Sequence, residues 1–267
     1  MTNFIAIIPA RYASSRFPGK PLAKIGEKPM IQLVYEQVKK AVETVYVATD
    51  DTRIFDAVQS FGGKAVMTSP NHQSGTDRCF EAYSLIKNEE LRIKSDLSLN
   101  SSFLILNSTD VIINVQGDEP FIQPEQIENL AACFNDPTTQ IATLVKPFPY
   151  NGFFDDLANQ NSPKVVINKR MEAMYFSRSI IPYKRGTDRN RWLEAHTYYK
   201  HIGMYAYRAE TLREITQLPQ SSLELAENLE QLRWLENGYK IKVGITHLET
   251  IGIDTPEDLR RAMNIKR

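Results

Sequence analysis

The stretch Phe4-Ile-Ala-Ile-Ile-Pro-Ala-Arg-Tyr-Ala-Ser-Ser-Arg-Phe-Pro-Gly-Lys20 decides how the chain is read. Its opening run, Phe4 to Ile8, is apolar and rich in β-branched residues, as expected of a strand buried on both faces. Pro9 ends that run. The loop from Ala10 to Lys20 then carries Arg11, Arg16 and Lys20, with Ala10, Ala13, Ser14, Ser15 and Gly19 among them. Small side chains let backbone N–H groups approach an anion, and three cations offset the charge of a polyphosphate. The spacing is not that of a G-x-x-x-x-G-K-[ST] phosphate loop. By themselves these residues also fit a solvated basic turn.

Working outward, Met30–Val42 repeats its apolar residues with a helical period, and Thr44–Ala48 reads as a strand. Thr52–Phe61 is a helix stopped by Gly62-Gly63, Lys64–Met67 a strand, Thr76–Ile86 a helix, and Val111–Val115 a nearly all-apolar strand. This alternation predicts an α/β fold built on a mostly parallel, doubly wound sheet. Chemistry in such sheets gathers beyond the carboxyl ends of the strands, which points to the loops Ala10–Lys20, Ser69–Arg78 and Gln116–Pro120. The polar, serine-rich segment Asn88–Thr109 reads as a surface excursion. Alternation resumes with a strand at His201–Arg208, a helix at Leu223–Glu236 with Leu225, Leu229 and Leu232 inward, and a strand at Lys240–Thr246. A closing helix, Pro256–Ile265, is capped by Thr255 with Asp258 three residues on. Aromatic, proline and basic residues crowd the region from Pro147 to Arg191. They suggest a subsidiary lobe around 147–200, or a dimer contact, on a single domain.

The 267 residues are 42% hydrophobic and 24% charged, enough for a sizeable core. Lys plus Arg equals Asp plus Glu at 32 each, so no global field draws nucleic acid or an anionic membrane, and any anion site must be built locally. No apolar run approaches the ~20 residues of a membrane span. The opening segment lacks a basic region and stops at Pro9, so it reads as a strand and not a signal peptide. Cys79 and Cys133 are too few for a disulfide framework or a thiolate metal site. The expected setting is a reducing cytoplasm.

Three more motifs carry chemistry. In His72-Gln-Ser-Gly-Thr-Asp-Arg78 a flexible turn enters a helix, with Asp77 suited to the helix dipole. In Val115-Gln-Gly-Asp-Glu-Pro120 a buried strand ends at Gly117 and projects Asp118 at the sheet edge. A carboxylate there commonly holds Mg²⁺ on a nucleotide, although an Asx-turn before Pro120 is the plainer alternative. In Ile251-Gly-Ile-Asp-Thr-Pro-Glu-Asp258, Asp254 precedes the Thr255 cap and fits a local helix-entry device equally well.

With these motifs in place the chain resembles sugar-activating nucleotidyltransferases, specifically the 3-deoxy-manno-octulosonate cytidylyltransferase (CMP-Kdo synthetase) family. The likeness runs from Phe4 to about Ala262, apart from Asn88–Thr109. It implies a fold of the nucleotide-sugar type with a smaller sugar-binding and dimerisation lobe, and a homodimer. The implied reaction joins CTP to Kdo, giving CMP-Kdo for lipopolysaccharide biosynthesis and pyrophosphate, with Mg²⁺ as cofactor. The resemblance gives Arg11 and Lys20 the CTP phosphates, with Ala10 and Ser14 shaping the pocket. Ser74 and Gly75 would hold cytosine with Arg78 assisting, and Gln116 would lie near the nucleotide sugar. Asp118 and Asp254 become the metal ligands, and Arg11, Lys20 and Asp118 the catalytic set. His201, Tyr205, Glu230 and Gln231 match contacts to the sugar acid, and Arg178 matches another; Glu227 has no assigned role.

Three rivals stand beside this reading. CMP-sialic acid synthetases share the fold, but their loop typically continues Gly-Gly-Ser-Lys after Ala-Arg, unlike this one. A metal-dependent glycosyltransferase would show an Asp-x-Asp pair where this chain has Gly117-Asp118-Glu119. A nucleotide sensor would not need both Asp118 and Asp254.

Overall fold

Sheet order and chain order differ in a way that makes a cleft. A computed structural model describes residues 2–13, 16–95, 109–249 and 252–265. The chain divides into two compact units. In the first (Met1–Ile127, Tyr207–Thr216 and Thr250–Arg267), strands lie in the order Asp110–Asn114, Asn3–Ala10, Thr44–Thr49, Ala65–Met67. These pairings are all parallel, with Ile5 beside Thr44 and Asn3 beside Asp110. The chain leaves the Asn3–Ala10 strand toward one side and returns on the other. That reversal is the switch point at which open parallel sheets bind ligands.

The α/β reading with a mostly parallel sheet is borne out, and burial explains why it was possible. Ile5 to Ile8 and Val111 to Ile113 are at most 1% exposed, so those strands had to be written as unbroken apolar runs. The helix Met30–Ala41 buries Met30, Ile31, Val34, Tyr35 and Val38 along one stripe. Asp51 caps the helix Thr52–Ser60 by accepting the Arg53 N–H. Ser74 and Asp77 cap the helix Gly75–Ser95 reciprocally, side chain to backbone in both directions. That helix runs past its predicted end at Ile86 into the segment read as an excursion; residues 96–108 of the segment lie outside the described residues. Thr255 and Asp258 cap the last helix, Pro256–Ile265, as expected.

The second unit (Glu128–Ala206 and Gln217–Glu249) contains a parallel pair, Ile141–Pro147 with Ile241–Ile245. It also holds an antiparallel group in which Lys164–Ile167 pairs with Ala173–Ser177 and with the start of Tyr199–Arg208. The predicted helix Leu223–Glu236 is corrected to two helices, Ser222–Glu227 and Gln231–Glu236. Asn228 stands between them in the left-handed region at φ 52°. The break swings Leu225 outward to 63% exposure, whereas Leu229 and Leu232 stay buried as predicted. Among the described residues no helix is long and apolar enough to cross a membrane.

Candidate active site

All three loops singled out from the sequence line one cleft of about 480 Å³ in the first unit. Ala10, Arg11, Ala13, Arg16 and Lys20 come from the first loop, Gly75 and Arg78 from the second, and Gln116, Gly117 and Asp118 from the third. Pro9 forms the floor. A Cβ on Gly117 would stand 2.9 Å from the Pro9 carbonyl oxygen, and one on Gly75 would stand 3.3 Å from the Pro9 ring. Glycine at 117 is therefore required by a close approach of backbone to backbone.

At the mouth, Lys20 draws together two aspartates that stand far apart in the chain. Its ammonium nitrogen lies 2.6 Å from Asp118 Oδ2 and 3.3 Å from Asp254 Oδ1. Arg16 closes the group with both terminal nitrogens on Asp254, at 3.2 and 3.3 Å. The backbone makes its own connection, since the Ile253 N–H donates to the Asp118 carbonyl at 2.9 Å. Exposed ion pairs add little stability. Two carboxylates gathered at a sheet edge are better explained by chemistry than by folding. Arg11 is exposed on the same cleft and has no polar partner among the described residues, which leaves its charge available to an anion.

Other residues hold this constellation in place. The ring of Tyr12 packs against Gly19, whose φ is 70°, and the guanidinium of Arg53 lies 3.3 Å over the ring centroid. Arg78 is fully buried, donating to Thr68 Oγ1 at 2.6 Å and to Asp50 at 2.8 Å, while its Nε has no partner among the described residues. It pins the helix Gly75–Ser95 to the strand ends. Gln116 lines the cleft and reaches Asn114 at 3.4 Å. Ser14 lies outside the described residues. Sequence reading passed over Tyr12 and left Arg16 as one cation among three, because nothing local announces a partner such as Asp254.

The residues matched to the sugar acid lie in the second unit, and four of them cluster by ring packing or helix entry. His201 and Tyr205 share a strand face with ring centroids 5.3 Å apart. Phe176 meets His201 and Trp234 meets Tyr205, each at 5.1 Å and edge-on. Burial pushes His201 down to about 3. It pushes the Tyr205 phenol well above its ordinary value. Both groups are thus uncharged near neutrality. Thr143 donates its hydroxyl hydrogen to the Met204 carbonyl at 2.8 Å, so its oxygen accepts from His201 Nε2 at 3.1 Å. The imidazole then keeps Nδ1 as an acceptor. Glu230 immediately precedes the helix Gln231–Glu236, and Gln231 is buried with its amide nitrogen lacking a partner among the described residues. Arg178 is committed elsewhere, to backbone carbonyls. Both cysteines are free, and burial raises the Cys133 thiol to about 11.

Comparison with known proteins bears directly on this arrangement. The cytidylyltransferase family model matches residues 5–241. A 3-deoxy-manno-octulosonate cytidylyltransferase of Parabacteroides distasonis is 64% identical over 264 residues, 98% of each chain. Its counterpart in Phocaeicola vulgatus is 62% identical over 260 residues, 97% of this chain and 96% of the relative. The solved structure of a CMP:2-keto-3-deoxy-manno-octonic acid synthetase complexed with CTP superposes with a TM-score of 0.81 at 40% identity, covering 99% of this chain and 98% of that one. Motifs, fold and near full-length identity agree, and the chain belongs to the 3-deoxy-manno-octulosonate cytidylyltransferase family of nucleotidyltransferases.

Proposed function

We propose that the protein joins CTP to Kdo, forming CMP-Kdo and pyrophosphate, with a Mg²⁺-dependent active site. The observation that carries this reading is the convergence of Asp118 and Asp254 on Lys20 beside Arg11, in a cleft at the switch point of a parallel sheet. The anomeric hydroxyl oxygen forms a bond to the α-phosphorus of CTP and gives up its proton to water, while the bond from that phosphorus to the bridging oxygen breaks, releasing pyrophosphate. Both reactants are anions. Two unit charges about 4 Å apart repel by roughly 4 kcal/mol at an effective dielectric of about 20. Arg11 and Lys20 offset that repulsion at the phosphates and stabilise charge on the transferring group.

The donor set fits a hard divalent cation. Two carboxylates already share one cationic nitrogen, and Mg²⁺ takes one or two carboxylates together with phosphate oxygens and water. Among the described residues no cluster of three or more acidic, His or Cys side chains is suited to a metal. Asp118 and Asp254 would therefore hold Mg²⁺ with oxygens from the nucleotide. When bound, the ion supplies Lewis-acid neutralisation of the triphosphate. On the acceptor side, His201 Nδ1 and Glu230 accept from sugar hydroxyls, Tyr205 donates its phenolic hydrogen, and the unpartnered Gln231 amide donates to an oxygen of the acid. No covalent enzyme intermediate is needed.

The resemblance also supports a homodimer acting in the cytoplasm, with no nucleic-acid or membrane partner. The central test is pyrophosphate release with CTP, UTP or ATP against Kdo, its 8-amino analogue and sialic acid. Release confined to CTP with an eight-carbon acid is expected. Turnover of sialic acid in preference to Kdo would overturn the assignment.

A further inference from the structure

Arg178 stands at the end of the strand Ala173–Ser177, and its guanidinium is spent on main-chain oxygens. Nε donates to the Glu227 carbonyl at 2.7 Å, one terminal nitrogen to the Gln160 carbonyl at 3.0 Å, and the other to the Asn228 carbonyl at 3.2 Å. Glu227 answers from the other side. Its carboxylate accepts from the Ser177 hydroxyl at 2.6 Å and from the Arg178 N–H at 2.9 Å. Lys164, fully buried, donates to the Arg178 carbonyl at 2.7 Å and to the Asn159 carbonyl at 3.0 Å.

This knot closes on the one turn that sets Glu230 and Gln231. The carbonyls at the end of the helix Ser222–Glu227 have no intrahelical donors. Asn228 adopts a left-handed conformation, which strains the backbone of an L residue although asparagine tolerates it better than most. Two guanidinium donors meet the Glu227 and Asn228 carbonyls at this turn and offset that strain, and the third ties it to the Gln160 carbonyl. Three of its five N–H groups, Nε included, are engaged by main-chain oxygens, so the side-on pair of Nε and a terminal nitrogen is not free for a carboxylate.

We infer that Arg178 and Glu227 are positioning residues, which fix the turn at Asn228 and thereby aim Glu230 and Gln231 at the acidic acceptor. The inference rests on the function proposed above. Glu227 thus acquires a role, and Arg178 acts through the backbone and not on the sugar acid. Lys164 buttresses the same knot from beneath.

The test is steady-state pyrophosphate release by the full-length protein, with separate KM values for Kdo and CTP. Glu227→Ala and Arg178→Met are each expected to raise the Kdo KM about tenfold, as one or two lost buried hydrogen bonds would, with the CTP KM within about twofold of wild type. The double variant should be no worse than the poorer single variant, because both remove one device. Glu227→Gln should recover most of the affinity, since its amide oxygen can accept the Arg178 N–H while its NH₂ donates to Ser177. Additive losses would place Arg178 directly on the acceptor and overturn the inference, as would an unchanged Kdo KM or a parallel rise in both KM values. Glu230→Ala provides the control. If it raises the Kdo KM while the knot variants fail as described, the inference alone falls; if it changes nothing, the acceptor site falls and takes the inference with it.

Discussion

Lys20 and Asp118 lie 2.6 Å apart at the edge of the sheet, with Asp254 on the same ammonium at 3.3 Å. An ammonium shared by two carboxylates lowers the repulsion between them and keeps them within reach of each other. Asp118→Asn removes the charge with almost no change of shape. Pyrophosphate release is expected to fall by about two to three orders of magnitude, as for other groups that stabilise charge in a transition state. The thermal midpoint should move by only about 3 °C or less, because the pair is partly exposed.

Chelation with EDTA should stop pyrophosphate release, and added Mg²⁺ should restore it. Asp254→Asn should retain a measurable rate but need about tenfold more Mg²⁺ for half activity, because nucleotide oxygens would supply the other ligands of a bound ion. A Mg²⁺ titration of both proteins measures the difference. Equal requirements would remove Asp254 from the metal site.

Gly117→Ala tests the floor of the cleft. Its new methyl would sit 2.9 Å from the Pro9 oxygen, which belongs to the backbone of a fully packed strand. Overpacking of this kind costs roughly 1–3 kcal/mol. Thermal unfolding should report that loss, and the KM for CTP should rise because the Asp118 turn shifts.

Glu224 and Arg233 give the stability a defined acid dependence. Burial pushes the Glu224 carboxyl up, but bonds from Arg233 at 2.5 and 2.7 Å outweigh that and hold it below its ordinary 4.5. The folded carboxyl ionises at lower pH than the unfolded one. Its contribution is therefore complete above about pH 4.5 and disappears as pH falls through the depressed folded value. Glu224→Gln should be less stable than wild type at pH 7, and the two unfolding midpoints should converge in acid.

His201, held down to about 3, gives a prediction for activity. A ring that is neutral from pH 5 to pH 8 contributes no titration step to Kdo binding in that range. The KM for Kdo should lack the inflection near pH 6.5 that an ordinary histidine would impose. An inflection there that vanishes in His201→Asn would show that the ring titrates normally.

Much of the first unit was legible because strands covered on both faces must be apolar throughout, as in Phe4–Ile8 and Val111–Val115. The loops between them could be ranked by position alone. The meeting of Asp118 with Asp254 was not legible from spacing, since it depends on the packing of the last helix. Family resemblance supplied it. The break at Asn228 was missed because Leu225, Leu229 and Leu232 keep helical spacing and no glycine or proline interrupts them. An asparagine in the left-handed region is the only local sign.

The bond from the Ile253 amide to the Asp118 carbonyl has a consequence for how this enzyme can vary. It ties the two acidic segments together through main-chain groups that any residue but proline at 253 supplies, so the backbone spacing does not depend on what either aspartate's side chain carries. Chemistry and scaffold are separable here. A chemist can exchange oxygen, charge or ligand type at positions 118 and 254 and still expect the replacements to face one another.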